Sequence, residues 1–311
     1  MSSQITTAFV QQYSANVFHL AQQKGSRLRG CVRTESQKGK AAFYDRIGTV
    51  TAVLKASRHS DTPQLDTPHS RRMVTLGDYE WADLIDNEDK IRTLIDPQSD
   101  YAMAAMWALG RAMDDVIIAA ASGNAYGGET GTTTVAYANA NRYAANNATA
   151  TSNLNVISLR GAKLLLDAAD VDESIPRYFA ITSSQLSSLL GETAVTSSDY
   201  NSVKALVNGD VDTFMGFKFI RTERLVTVTA AEALSGSGTT GAVGSGTSLT
   251  GYRKCLAWAQ DGLLLAVGQD MQGKIDQRVD KSYSTQVYAR MGIGATRMEE
   301  AKVVEVICKE T

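Results

Sequence analysis

Few residues of this chain have the type and spacing that chemistry requires. Gly236, Gly238 and Gly241 match a GxGxxG pattern, and Asp261 lies about twenty residues further on, where an acid can meet a ribose hydroxyl. That fingerprint works only between a strand and a helix, because the pyrophosphate rests on the N–H groups of a helix N-terminus. Here more glycine, serine and threonine follow, and then a strand-like run, so the segment reads as a loop. GxxxxGK[ST] is absent, which removes the lysine and the backbone cradle for a nucleoside triphosphate, and so is the GxSxG elbow of ester hydrolases. His19, His59 and His69 sit away from any nucleophile-bearing turn. His59 and His69 could face each other across a hairpin and take a metal, but no cysteine or clear carboxylate set accompanies them. Asp114–Asp115 and Glu299–Glu300 are neighbours in sequence, so a helix or strand points their side chains in different directions. Asp83, Asp86, Glu88 and Asp89 lack the glycine and closing glutamate of a calcium loop and read as solvated surface. Cys31, Cys255 and Cys308 are odd in number, widely spaced and without a CxxC pair, which suits a reducing cytoplasm. No catalytic, cofactor-binding or metal residue is assigned, and no cofactor is expected.

Composition sets broad bounds. The 311 residues are 43% hydrophobic, ample for one large two-lobed domain or two small ones. Lysine and arginine number 31 against 33 acids, so the overall charge gives no drive towards nucleic acid or an acidic tail. The opening MSSQITTAFVQQY lacks the charged and apolar regions of a secretory signal, and no later stretch is long and apolar enough to cross a bilayer. The expectation is a protein made in the cytoplasm with no membrane partner.

The elements that would position any site come next. Thr6 to Lys24 places Phe9 or Val10, Tyr13, Val17 and Leu20 at helical spacing, which predicts an amphipathic helix ended by Gly25. With the basic residues Lys24, Arg27, Arg29, Arg33, Lys38 and Lys40 behind it, this resembles an arm that finds its partner elsewhere; a solvated charged edge is the other reading. Ala42 to Ala56 and Arg72 to Trp81 are strand-like runs around a polar stretch with Pro63 and Pro68, together a long hairpin. Both of its faces mix polar and apolar side chains, as in a ribbon covered by neighbouring subunits, although an ordinary edge hairpin would read the same way. Asp96–Pro97 should open a helix of about 40 Å running to Ser122. On it Met103, Met106, Trp107, Gly110, Met113 and Ile117 share a core face, with Asp100, Arg111, Asp114 and Asp115 elsewhere. Gly123 to Thr151 reads as a long loop or flexible hairpin. A helix over Val156–Ala169, a strand over Arg177–Ile181, a short helix through Gln185–Leu190, a helix capped by Ser198 or Asp199 and ended by Gly209, and the strand FMGFKFIRTERL follow. After a loop from Ser235 to Thr250, Asp261–Gly262 could join strands Leu256–Ala259 and Leu263–Val267 as a tight hairpin, and strand-like segments around Ser284–Arg290 and Lys302–Cys308 close the chain. The order is mixed, antiparallel-leaning α+β.

Taken together, VQQYSANVFHLAQQKGSRLR, the hairpin from Ala42 to Trp81, the helix from Pro97 to Ser122, NSVKALVNGDVDTFMGFKFIRTERL and the closing stretch from Leu256 to Ile307 resemble the tailed-bacteriophage major capsid proteins with the Hong Kong 97-type fold. The likeness spans most of the chain and rests on order, lengths and local phrasing. It implies an N-terminal arm over 1–40, an extended hairpin loop over 41–82 and a spine helix with peripheral domain and long loop over 83–153. An axial domain over 154–270 and C-terminal strands over 271–311 that return to the peripheral domain complete the expected layout.

What the resemblance implies is a coat protein of the virion, not an enzyme, forming hexamers and pentamers of an icosahedral shell around double-stranded DNA. Its expected partners are copies of itself, a portal protein, packaged DNA bound without sequence specificity and, optionally, a decoration protein. A separate scaffolding protein is expected because the family's built-in scaffold precedes the arm, and this chain starts at the arm. The lysine, asparagine and glutamate set that crosslinks some relatives has no assignable match. Residues expected at contacts between copies are Tyr13 and Val17 in the arm, and Phe43, Tyr44, Ile47, Met73 and Leu76 in the hairpin. Alternatives are an encapsulin-like compartment shell and, from another class, a nucleotide-binding or ester-cleaving enzyme.

Overall fold

The computed structural model describes residues 20–86 except 56, 60 and 63, together with 98–144, 153–192, 213–228 and 251–310. Its first half contains β1 (Arg33–Ser36), β2 (Ala41–Ile47), β3 (His69–Thr75), β4 (Gly77–Ile85), α1 (Gln98–Ser122), β5 (Ala125–Gly127), β6 (Thr133–Val135) and β7 (Arg142–Ala144). Next come α2 (Val156–Ala168), β8 (Arg177–Ile181), α3 (Ser183–Leu190), β9 (Thr213–Phe214) and β10 (Phe217–Arg221). The chain ends in β11 (Arg253–Ala259), β12 (Leu263–Arg278), β13 (Ser284–Arg297) and β14 (Val303–Cys308). This is the α+β mixture expected, gathered into two compact units.

One unit comprises the described residues of Met1–Ser26, Asp78–Ala112 and Gln269–Gly292. Within it, β13 lies between β12 and β4, and its residues Val287, Ala289 and Met291 are buried while Arg290 is exposed, the period-two signature of a sheet covered on one side. The helix predicted to end at Lys24 is not found in its described part: Leu20 to Lys24 is irregular. The reason lies on α1. Gly110 leaves so little room that a Cβ there would come within 2.6 Å of the Gly25 backbone. The adjacent Arg111 donates to the Gln22 side-chain oxygen at 2.9 Å and to the Gln23 carbonyl at 3.1 Å, and Lys24 lies over the Trp107 ring. The segment is thus held flat on the helix, its carbonyl serving an arginine instead of a helical ladder, and part of the arm finds its partner within its own chain. Tyr13, Val17, His19 and the cap Asp96–Pro97 lie outside the described residues.

The other unit comprises the described residues of Arg27–Gly77, Met113–Gly268 and Ile293–Thr311. Its centre is a six-stranded mixed sheet in the order β7-β14-β11-β8-β10-β9. β11 runs antiparallel to both β14 and β8, whereas β8 and β10 are parallel. Phe179, Phe217, Trp258, Val304 and Val306 are buried in this sheet, and the rings of Phe179 and Phe217 meet edge-on at 5.6 Å. Asn155 caps α2 by accepting from Ser158 N at 2.8 Å, and Thr182 caps α3 through Gln185 N. At Gly161 a Cβ would collide with the Tyr143 ring, so only glycine lets α2 sit so close to β7. The expected helix ended by Gly209 and the Ser235–Thr250 loop fall outside the described residues.

Two expectations change here. β11 and β12 do not pair: β11 is flanked by β14 and β8, while β12 takes β1 in parallel and β13. Asp261–Gly262 belongs to a 3-10 turn that carries the chain between sheets, held by Gln260 N donating to Pro176 O and by the Lys302–Asp261 ion pair at 2.8 Å. Of the long loop or flexible hairpin expected after Gly123, the described residues hold a β5–β6 hairpin, followed by the unforeseen β7, which extends the large sheet parallel to β14. Finally, FMGFKFIRTERL is interrupted after Phe214 by a turn with left-handed Met215 and Gly216, which folds β9 back on β10.

Asp114 of α1 is fully buried, and its carboxylate accepts from Arg27 N at 3.1 Å and Leu28 N at 3.1 Å. The hairpin of β2 and β3 pairs from Ala41–Thr75 to Ile47–His69, and β3 continues onto β5 and β6 as a four-stranded sheet. Its base is therefore built into the unit. Regular pairing stops at Ile47, short of the expected Ala56, where Gly48 N donates to Pro68 O; Pro68 has no N–H with which to extend the ladder.

Candidate functional site

Strand alternation gives the hairpin sheet two unlike faces. In the β2–β3 register Phe43 stands beside Met73, Asp45 beside Arg71 and Ile47 beside His69, and Met73 in turn stands beside Tyr126 of β5. Directly paired residues share a face, so Phe43, Met73 and Tyr126 form a row across three strands, with Ile47 towards the hairpin end. Phe43 is 40% exposed, Tyr126 46% and Ile47 69%. Arg71 lies over the Phe43 ring at 5.6 Å and pairs with Asp45 at 3.4 Å, so a guanidinium borders the apolar row without covering it. Tyr126 escaped the sequence reading because a three-residue strand amid glycine, threonine and asparagine carries no visible period; the surrounding Ala125-Tyr126-Gly127 was the only trace of it.

Beyond the last rung, the segment from Gly48 to Pro68 adds Val50, Val53, Leu54 and Leu65, all exposed, with Leu54 at 92%. Apolar side chains gathered on one sheet face and its extension are the usual mark of a surface that binds another protein.

Opposite this row the sheet faces inward. Tyr44 and Leu76, both partly buried, pack on Val74, Leu264, Ala266 and Met298, whereas Phe43, Ile47 and Met73 lie on the outer row. Arg46 and Arg72 also point inward: Arg72 binds Glu300, and Arg46 donates to the Met298 carbonyl. Next to them the Arg297 guanidinium is fully buried, donating to Ala121 O at 3.0 Å and Gly123 O at 2.8 Å and stacking on Tyr137 at 4.8 Å. The Tyr137 hydroxyl donates to Val303 O at 2.9 Å and accepts from Glu305 N at 2.9 Å, and Arg142 binds Glu305 at 2.6 Å. Burial, with the Glu305 charge adding to it, pushes the Tyr137 hydroxyl well above its ordinary pKa.

The residues that might have done chemistry are otherwise engaged. Asp115 binds Arg224 while Asp114 turns to the Arg27 and Leu28 amides; Glu299 binds Lys302 while Glu300 binds Arg72. Asp261, the would-be ribose acid, is held by Lys302. Burial raises the pKa of the Cys31 and Cys308 thiols, which keeps them protonated and weakly nucleophilic. His59 is exposed in a turn, and His69 stands beside Ile47 on the outer face. Among the described residues, no group of three or more histidine, cysteine or acidic side chains is placed to hold a metal.

Comparison with solved structures gives the same fold in phage shells. Against the capsid of cyanophage P-SCSP1u the TM-score is 0.74 at 16% identity, covering 100% of this chain and 96% of that one. Against the capsid of Ralstonia phage GP4 it is 0.72 at 11% identity, covering 97% and 96%. Against cyanophage Pam1 it is 0.70 at 16% identity, covering 98% and 97%. No curated protein matches the chain. A family model described as phage capsid protein matches residues 5–310. With that match over nearly its whole length, the chain belongs to the phage capsid protein family, as a major capsid protein of the virion and a structural shell subunit, not an enzyme.

Proposed function

We propose that copies of this chain join through the outer row Phe43, Ile47, Met73 and Tyr126, and through the apolar residues of the Gly48–Pro68 extension, into hexamers and pentamers of an icosahedral shell enclosing double-stranded DNA. The observation that carries this reading is the exposed apolar row on a sheet whose other face is already packed. A lone ribbon with such a face is marginal in water, and a second copy supplies the missing cover. Tyr13 and Val17, outside the described residues, are assigned to contacts between copies on their helical spacing alone. The domain layout of this proposal is an N-terminal arm over 1–40, the hairpin as extended loop over 41–82, the spine helix α1 with a peripheral domain and long loop over 83–153, an axial domain over 154–270, and C-terminal strands over 271–311 that return to the peripheral domain. A separate scaffolding protein, a portal, optionally a decoration protein, and DNA held without sequence specificity are the remaining partners of this proposal, and assembly takes place in the host cytoplasm. Near-neutral charge suits a container that is filled from outside better than one that condenses DNA on basic tails.

Negative-stain electron microscopy of the purified protein, alone and with its scaffolding protein, tests this directly. Closed shells are expected. A monodisperse small oligomer under every assembly condition would overturn it.

A further inference from the structure

Behind the hairpin, three guanidinium groups converge on one carboxylate. Arg72 binds Glu300, Arg46 approaches it at 3.8 Å and Arg297 at 3.7 Å. Arg72 is 2% exposed and Arg297 0%. The second acid nearby, Glu305, is already bound by Arg142. Positive charge therefore exceeds negative charge in a mostly buried place, which is costly unless something anionic shares it.

The donor inventory points the same way. The Nε of Arg46, of Arg72 and of Arg297 are all buried, and none has a hydrogen-bond acceptor among the described residues. Orphaned donors on a single arginine are commonplace, but three around the same carboxylate call for an acceptor. Desolvation lowers the pKa of Arg72 and Arg297, and Glu300 offsets only part of it, while the neighbouring guanidinium groups add to the lowering: Arg46 and Arg297 on Arg72, Arg142 on Arg297. Arg46 and Glu300 are each about a quarter exposed, which gives the cluster an opening to solvent.

We propose that Arg46, Arg72 and Arg297 form a binding site for a small inorganic oxyanion of the phosphate or sulfate class, which the hairpin strands and the end of β13 hold jointly. Arg46 and Arg72 belong to β2 and β3, whereas Arg297 ends β13 and Glu300 follows it. A bound oxyanion accepts from both sides and fastens the hairpin base to the body of its unit. Its multiple acceptor oxygens suit guanidinium groups better than a single lone pair does.

The test is thermal unfolding of the full-length, unassembled subunit in increasing sulfate, with chloride adjusted to constant ionic strength, and again with inorganic phosphate. A ligand that binds only the folded state raises the midpoint with saturation, by a few degrees at about a hundredfold excess over its dissociation constant. Arg46→Gln, a partly exposed position, should fold and lose the saturable rise. Glu300→Gln removes the competing carboxylate and should move the half-saturation point to lower anion concentration, which keeps the test decisive if the first variant does not fold. A rise that is linear without saturation, or the same in wild type and Arg46→Gln, means bulk salt effects or ordered water alone and overturns the site. So does an unmoved half-saturation point in Glu300→Gln.

Discussion

Asp114 shows how a single polar side chain can decide the course of a backbone. Its carboxylate satisfies the amides of Arg27 and Leu28, which would otherwise be donors without acceptors where the chain enters the fold. Asp114→Ala should cost about 2–3 kcal/mol, because a buried donor left unsatisfied loses its full desolvation penalty; urea unfolding of the isolated subunit measures it, and a change below about 0.5 kcal/mol would show that other acceptors substitute. At the turn between β12 and β13, Arg278 binds both oxygens of Asp280, at 2.7 and 2.6 Å. That bond holds the Asp280 carboxyl down from 3.8 to about 2. A depressed acid stabilises the fold above its ordinary pKa and loses that contribution as the pH falls through the depressed value, so the turn should keep its ion pair at pH 4 and release it towards pH 2. Carboxyl NMR titration should place the Asp280 midpoint near 2, and Arg278→Gln should return it towards 3.8; a wild-type midpoint at the ordinary value counts against the pair.

At the scale of elements, what could be read in the sequence follows from which signals are local. α2, β8 and α3 carry their own punctuation, Asn155 and Thr182 as caps and Arg177–Ile181 as a compact apolar run, and their limits agree with the sequence reading to within about two residues. α1 ends at Ser122 as its pattern demands. Elements chosen by tertiary pairing were not legible. β5, β6 and β7 are three residues each, too short for any period, and β11 and β12 look like a hairpin until β14 and β8 fill both sides of β11. Leu20–Lys24 has helical spacing, yet its backbone is claimed by Gly110 and Arg111. The hairpin was legible as a hairpin, but not which of its mixed faces turns outward, because that depends on Val74 and Tyr44 meeting Leu264 and Met298, far away in sequence. Two variants probe this layer. Gly110→Leu should displace the Gln22–Ser26 segment and expose it to limited proteolysis, at an overpacking cost of about 1–3 kcal/mol; a segment as protected as in wild type would mean that the close approach is not what holds it. Phe179→Ala, in the centre of the large sheet, should cost about 3–5 kcal/mol by equilibrium unfolding.

For the whole molecule, the decisive question is whether folding and assembly use separate surfaces, and adjacent residues of one strand can answer it. Phe43 and Tyr44 are consecutive in β2 and point to opposite faces, Phe43 into the exposed row and Tyr44 onto Val74, Leu264, Ala266 and Met298. If copies join through the outer row, a charge at Phe43 stays in water in the free subunit and meets a desolvated apolar surface only in the shell, where an interface hot spot is worth about 2 kcal/mol or more. The same charge at Tyr44 replaces a partly buried ring that packs on that apolar cluster and brings a carboxylate against it already in the free subunit, which is destabilising. Phe43→Glu and Tyr126→Glu should therefore leave the unfolding midpoint of the isolated subunit within about 1 kcal/mol of wild type and abolish closed shells in electron micrographs. Tyr44→Glu should lower stability first and lose shells only as a consequence. Because a shell repeats each contact in every subunit, a loss that is modest for one pair is multiplied around every ring, so the outer-face variants should fail sharply. If Phe43→Glu instead unfolded the subunit, or if it assembled normally, the outer row would not be the surface on which the shell is built.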